Sequence, residues 1–193
     1  ACSTAPPPGL SVRPASETLA RRVARRAEES GARMGIAALH VESGRRLDWN
    51  ADEVFEAASV YKLGLLAEAA ARVKEHRLEL TERWRLTEKA KAAPSSFLLE
   101  FDSGLEPTQR DLLYLMIGRS DNTATNHFFD LFGKDAVNAR MAALGFPKYR
   151  MVGRIPDRDP EETQDQRWKG LALGDMTPGE TADARRHGRR EEH

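Results

Sequence analysis

The stretch from Thr108 to Gly145 constrains the fold most, because three helical segments follow one another there with almost no chain between them. Thr108, with Asp111 three residues on, resembles a capping box in which a carboxylate replaces the usual Glu or Gln. It opens a strongly apolar helix carrying Leu112, Leu113, Leu115 and Met116. A second helix is expected from about Asn122 to Phe132, closed by Gly133, and a third from Lys134 to Leu144, closed by Gly145. Glycine ends helices well because it reaches the left-handed conformation without a side-chain clash. Apolar helices joined this closely must pack on their neighbours, so the stretch reads as part of a helical lobe over about 60–145.

Upstream the pattern changes. Residues 1–15 read as a linker, since Pro6, Pro7, Pro8 and Pro14 remove backbone donors and resist helix. Ser16 is expected to cap a helix through about Ser30, with Leu19, Val23 and Ala27 on one stripe and Gly31 just past its end. Met34–Val41 and Arg45–Trp49 read as the strands of a hairpin turning at Ser43-Gly44. From Ser59 the chain is helical again, with Leu63, Leu66, Ala67 and Ala70 on one face. Residues 77–107 show no clear pattern, and 150–176 read as a long loop. Thr177-Pro178 suits the cap and first position of a last helix. The expected class is α+β, in two parts: a Pro-rich linker over 1–15 and one domain over 16–193.

Composition narrows the function. Lys plus Arg number 30 and Asp plus Glu 30, so zero net charge gives no electrostatic argument for nucleic acid or an anionic membrane. No apolar run approaches the ~20 residues that a membrane-spanning helix needs. The single cysteine, Cys2, excludes an internal disulfide framework. Its setting, Ala1-Cys2-Ser3 before a proline run, resembles the processed start of a bacterial lipoprotein. Cys2 is therefore a lipidation candidate, and an exported protein, periplasmic or anchored to the cell envelope, is expected. The alternative is an unpacked terminus that happens to hold a cysteine. His40, His76, His127, His187 and His193 show no ligand-like pairing, so neither a metal nor another cofactor is expected. His127 reads as packed or solvated, and Trp49, Trp84 and Trp168 as core or cleft-edge residues.

Two motifs carry chemistry. Ser59-Val60-Tyr61-Lys62 puts a hydroxyl and an ammonium nearly one helical turn apart, on one face of a helix start. A lysine whose pKa is lowered by burial can take the serine proton, and the helix N-terminus favours an oxyanion beside it. Alone the motif is weak, because about one Ser-x-x-Lys is expected by chance in a chain this long. A plain capping serine followed by a solvated lysine reads equally well. Ser120-Asp121-Asn122 is far rarer by chance and falls between two apolar helices, where a short polar turn can face a cleft. Asp121 also suits helix capping, and both roles can hold together.

With these motifs the chain resembles the class A β-lactamase family and its penicillin-recognising relatives. Phe55-Glu56-Ala57-Ala58-Ser59-Val60-Tyr61-Lys62-Leu63 is similar to the family's approach to its nucleophile. Asp111 to Ile117, Ser120 to Asn126, Asp135-Ala136-Val137-Asn138, Ala143-Leu144-Gly145 and Met176-Thr177-Pro178 continue the likeness in order. The resemblance implies that Ser59 attacks a lactam carbonyl and that Lys62 is the base or relay. It also implies that Ser120 passes a proton to the departing nitrogen and that Asn122 binds the substrate's side-chain amide. The Ser59 N–H would be half of the oxyanion hole, and the substrate a β-lactam or a peptidoglycan-like molecule bound by a monomer.

Three departures bear on this. The deacylating carboxylate falls on Glu161 when counted back from Thr177-Pro178, but near Pro156 when counted forward from Ser120. No Lys-Thr-Gly or Lys-Ser-Gly follows residue 122, so the cation and second oxyanion donor of that strand are missing. After Met176 no large apolar residue follows. The expectation is a helical lobe with an N-terminal helix and hairpin, lacking the C-terminal sheet strands, through a frameshift, a misassembled gene or a clipped fragment. Two other readings of the same residues are a D,D-peptidase-like penicillin-binding protein and a non-catalytic remnant.

Overall fold

The computed structural model describes residues 18–92, 95–155 and 173–187. Helix α1 (Leu19–Glu29) is capped by Thr18, whose hydroxyl accepts the Arg21 N–H, two residues beyond the expected Ser16 cap. Burial rises along its stripe, from Leu19 at 62% exposed to Ala27 at 5%. The hairpin follows as β1 (Ile36–Leu39) and β2 (Arg46–Trp49), antiparallel from Ile36 opposite Trp49 to Leu39 opposite Arg46. Gly44 closes the turn with φ of 67°, and its N–H donates to the His40 carbonyl at 2.8 Å. β1 is shorter than the expected Met34–Val41 at both ends, and at its far end the turn already takes up Val41.

Short strands that periodicity could not reveal form a second sheet. β3 (Phe55–Glu56), β4 (Arg150–Met151) and β5 (Gly174–Met176) pair antiparallel in the order β3-β5-β4. The expectation of an unbroken loop over 150–176 is thereby corrected: its two ends are strands that pair with each other. Two or three residues are too few to show a period of two. The last helix, α6 (Pro178–His187), begins where expected, with the Thr177 hydroxyl accepting the Glu180 N–H at 3.2 Å. It packs on β1 while α1 packs on β2, so two helices cover the hairpin.

The helical lobe consists of α2 (Lys62–Lys74), α3 (Gln109–Gly118), α4 (Asn122–Phe132) and α5 (Lys134–Ala143). The capping box at Thr108 and Asp111 forms in both directions. α2 packs against the other three, and Tyr61, Leu65, Leu112, Met116, Phe128, Val137 and Met141 fill the space between them, each 2% exposed or less. Burying such a side chain contributes about 1.5–3 kcal/mol, so this core outweighs any surface pairing. The unpatterned 77–107 segment wraps the lobe through a short ladder. In it Trp84 donates to Pro107, Leu86 to Leu105 and Gly104 back to Leu86. Two 3₁₀ turns, Glu88–Ala90 and Phe97–Glu100, complete it. Among the described residues no helix is long and apolar enough to cross a membrane.

A buried ion network locks α2 to α5. Glu68, 3% exposed, accepts from Arg72 at 2.7 Å and from Arg140 at 2.9 Å. Burial pushes its carboxyl pKa up, but the hydrogen bonds from Arg140 and Arg72 outweigh this and hold it below the ordinary carboxylate value. Removing one partner of a buried pair strands the others. Arg72 and Arg140 are partly exposed, and Arg140 keeps Glu75 while Arg72 keeps the Leu131 carbonyl, so Glu68→Ala should cost about 1–3 kcal/mol of stability, read as a fall in the denaturant midpoint at unchanged m-value.

α4 carries a second, half-buried titratable group. The His127 ring faces the Gln109 Oε1 at 2.8 Å and lies 4.9 Å from both the Trp84 and Phe128 rings. Burial lowers its pKa from the ordinary 6.5 to about 4, against the opposing pull of Asp130. The unfolded chain therefore takes up a proton at higher pH than the folded one. Stability should be full above pH 6.5 and fall as pH drops toward about 4. The loss is about 3 kcal/mol at most. Thermal melts of the protein and of His127→Gln over this range check it: the variant's melting temperature should fall less.

Candidate active site

The nucleophile motif does not start inside an α-helix. Ala58–Tyr61 forms a 3₁₀ turn that leads into α2 at Lys62. Ala58 holds φ at 42°, a left-handed conformation that costs a non-glycine residue strain and that concentrates at functional sites. The Ala57 N–H is fixed to the Gly174 carbonyl at 2.8 Å, which ties the turn to β5. The first hydrogen bond of the turn is donated by Val60, to Ala57 at 2.9 Å. The Ser59 N–H therefore stands ahead of the ladder, beside its own exposed hydroxyl.

Close approach of another side chain sets the start of α2. Tyr149 lies across it and donates its hydroxyl to the Tyr61 carbonyl at 2.6 Å. Position 64 must be glycine for this, since a Cβ there would run into the Tyr149 ring and hydroxyl.

Lys62 is 2% exposed and its ammonium is fully engaged. Nζ donates to the Ser120 carbonyl at 2.7 Å, the Ser120 Oγ at 2.9 Å and the Asn122 Oδ1 at 2.9 Å. The Ser120 Oγ donates in turn to the Ser59 Oγ at 2.8 Å. A continuous path thus runs from Lys62 through Ser120 to Ser59. Burial lowers the Lys62 pKa from 10.5 to about 8, while the charge of Asp121 raises it. Near that pH Lys62 can lose a proton, and its lone pair then becomes an acceptor. The directions along the path reverse, so that Ser59 points its proton at Ser120 and Ser120 points its own at Lys62. Such an arrangement can activate a serine.

The turn that holds Ser120 and Asn122 is itself strained and pinned. Ser120 has φ of 55°. Asp121, wholly buried, caps α4 by accepting the Ala124 N–H at 2.8 Å and also accepts the Leu98 N–H at 2.9 Å and the Ser96 hydroxyl at 2.9 Å. The cleft beside Ser59 has a volume of about 470 Å³, and Glu56, Lys62, Ser95, Arg119, Ser120 and Asn122 line it. Among the described residues no cluster of His, Cys, Asp or Glu could hold a metal ion.

Ser59 and Lys62 at the start of α2 and Ser120 and Asn122 at the start of α4 are therefore brought together. Glu161 and Cys2 lie outside the described residues, as does Trp168. Two asparagines without an assigned role clasp the chain leading toward Glu161. Asn138 exchanges a pair of hydrogen bonds with the Met151 backbone, at 3.0 and 2.7 Å. Asn126, 1% exposed, does the same with Ile155 at 3.0 and 3.1 Å. The signal for Asn126 was its place four residues after Asn122, on the same inward face of α4.

The model of the beta-lactamase enzyme family matches residues 17–183. A beta-lactamase of Rhodobacter capsulatus is 29% identical over 202 residues, covering 93% of this chain and 69% of its own length. Beta-lactamase SME-1 of Serratia marcescens is 24% identical over 170 residues, 87% of this chain and 52% of that protein. The crystal structure of the beta-lactamase from Sphaerobacter thermophilus superposes with a TM-score of 0.72 at 32% identity, over 87% of this chain and 62% of the other. An ancestral class A beta-lactamase superposes equally well, with a TM-score of 0.72 at 28% identity, over 88% and 63%. The chain thus spans less than two thirds of the solved structures it resembles.

Proposed function

Because the chain belongs to the beta-lactamase enzyme family, we propose that it opens β-lactam rings through an acyl-enzyme on Ser59. The Ser59 Oγ attacks the lactam carbonyl carbon, and its proton passes along Ser120 to Lys62. The carbon–nitrogen bond of the ring then breaks. Ser120 returns the proton to the departing nitrogen, leaving an ester on Ser59 that water hydrolyses. The Ser59 N–H, ahead of the 3₁₀ ladder, stabilises the oxyanion. Asn122, whose Oδ1 accepts from Lys62, hydrogen-bonds the substrate's side-chain amide in this reading.

The observation that carries this reading is the hydrogen-bonded path from Lys62 through Ser120 to Ser59, together with the lowered Lys62 pKa. Glu161 is proposed to position the deacylating water. The protein is proposed to act as an exported monomer, with Cys2 as its lipid anchor, and to protect a bacterium from β-lactams.

The test is to follow ring opening of a penicillin by its ultraviolet absorbance. Turnover by the protein, lost in Ser59→Ala and stalled at a long-lived adduct in Glu161→Gln, is expected. Turnover that survives in Ser59→Ala would refute the assignment.

A further inference from the structure

Ser96 touches neither Ser59 nor Lys62, yet it is bound into the turn that serves both. It is 7% exposed, and its Oγ lies 2.9 Å from the Asp121 Oδ1 and 2.7 Å from the Thr123 Oγ1. A hydroxyl has one proton, and a carboxylate can only accept, so the Ser96 proton goes to Asp121. The Thr123 hydroxyl then donates to Ser96 and accepts the Ala92 N–H at 2.9 Å. The Thr123 N–H also faces the Ser96 Oγ, at 3.4 Å. On either side of Ser96 the backbone joins in. The Ser95 carbonyl accepts the Asn122 N–H at 3.3 Å, and the Leu98 N–H reaches the Asp121 Oδ2 at 2.9 Å.

We infer that Ser96 is a positioning residue of the reaction centre, which holds Asp121 and Thr123 so that the turn between them and α3 presents Ser120 and Asn122 to Lys62 and Ser59. The inference rests on the reading of Ser59 as an activated nucleophile. Its physical basis is the strain on both sides of the tie. Ser95 has φ of 64° and Ser120 φ of 55°, conformations that a serine leaves unless its surroundings hold it there. The left-handed Ser120 directs its carbonyl and its hydroxyl to the same ammonium. Releasing Asp121 and Thr123 from Ser96 lets this turn relax. Both Lys62 contacts and the Ser120 to Ser59 hydrogen bond then lengthen together, with no loss of any group that touches substrate.

The test compares the protein with Ser96→Ala and with Thr108→Ala, which removes the capping box of α3 and perturbs stability away from the tie. The readouts are melting temperature and two Ser59 labelling rates followed by intact mass, one with a simple fluorophosphonate and one with a penicillin. At a temperature where all are folded, Ser96→Ala should slow both labelling reactions by roughly 30-fold. Thr108→Ala should stay within about twofold despite its lower melting temperature. If Ser96→Ala does not fold, the near-isosteric Thr123→Val severs the tie from the other side and should slow labelling by roughly fivefold. Rates within twofold of the parent in the tie variants, or equal slowing in Thr108→Ala, would overturn the inference. So would a parent that neither reagent labels, for then nothing is being positioned. A parent labelled by the fluorophosphonate alone would sink the β-lactam reading and leave the Ser96 comparison standing.

Discussion

Replacing Lys62 by methionine will slow acylation of Ser59 by roughly a thousandfold and abolish its rise with pH. The expectation follows from where burial sets the lysine. A base must be neutral to take a proton, and a lysine at its ordinary pKa of 10.5 would be neutral in only about 0.03% of molecules at pH 7. With the pKa lowered to about 8, the neutral share at pH 7 is about one tenth. The acylation rate should therefore climb about tenfold per pH unit well below 8 and level off above it. In Lys62→Met the remaining rate should be flat over the same interval. Stopped-flow or quenched acylation from pH 6 to 9.5 decides this. A parent rate that stays flat through pH 8 would remove Lys62 from the role of base.

The second large effect is expected at Asp121, the residue on which both stability and the site's charge balance converge. Asp121→Ala leaves the Ala124 N–H, the Leu98 N–H and the Ser96 hydroxyl without their acceptor in a buried setting. Loss of the Ala124 N–H acceptor is the loss of the helix cap and costs about 1 kcal/mol, and each of the other two orphaned donors costs about 1–3 kcal/mol. Since relaxation recovers part of this, a net loss of about 3 kcal/mol or more is expected, or roughly 6–12 °C in melting temperature. The substitution also removes the negative charge that props up the Lys62 pKa. Whatever acylation remains should have its pH midpoint below about 8. A variant with unchanged melting temperature would show that the turn is held by other contacts.

The chemistry-bearing motifs were legible because their residues lie close in sequence and sit at element ends, where capping rules apply. Ser59 and Lys62, Ser120 and Asn122, and the bounds of α4 and α5 all follow from local patterns. The capping box at Thr108 did too, with its unusual aspartate. What stayed hidden depends on contacts between distant segments. Ser96 lies in a stretch with no periodicity and has meaning only through Asp121, 25 residues away. Gly64 looks like a weak spot in a helix until Tyr149 is laid across it. The strands β3, β4 and β5 are shorter than any pattern that could announce them. The 3₁₀ turn at Ser59 escaped as well, since its residues suit an α-helix and only the tether to Gly174 and the left-handed Ala58 set them apart.

Acylation of Ser59 is tested by mixing the purified chain with a penicillin, quenching in acid within seconds and measuring the mass of the intact chain and of its digested peptides. An added mass of one intact penicillin is expected on the peptide that contains Ser59, with none in Ser59→Ala. No adduct together with an unconsumed drug would contradict it, and so would an adduct that persists when Ser59 is alanine.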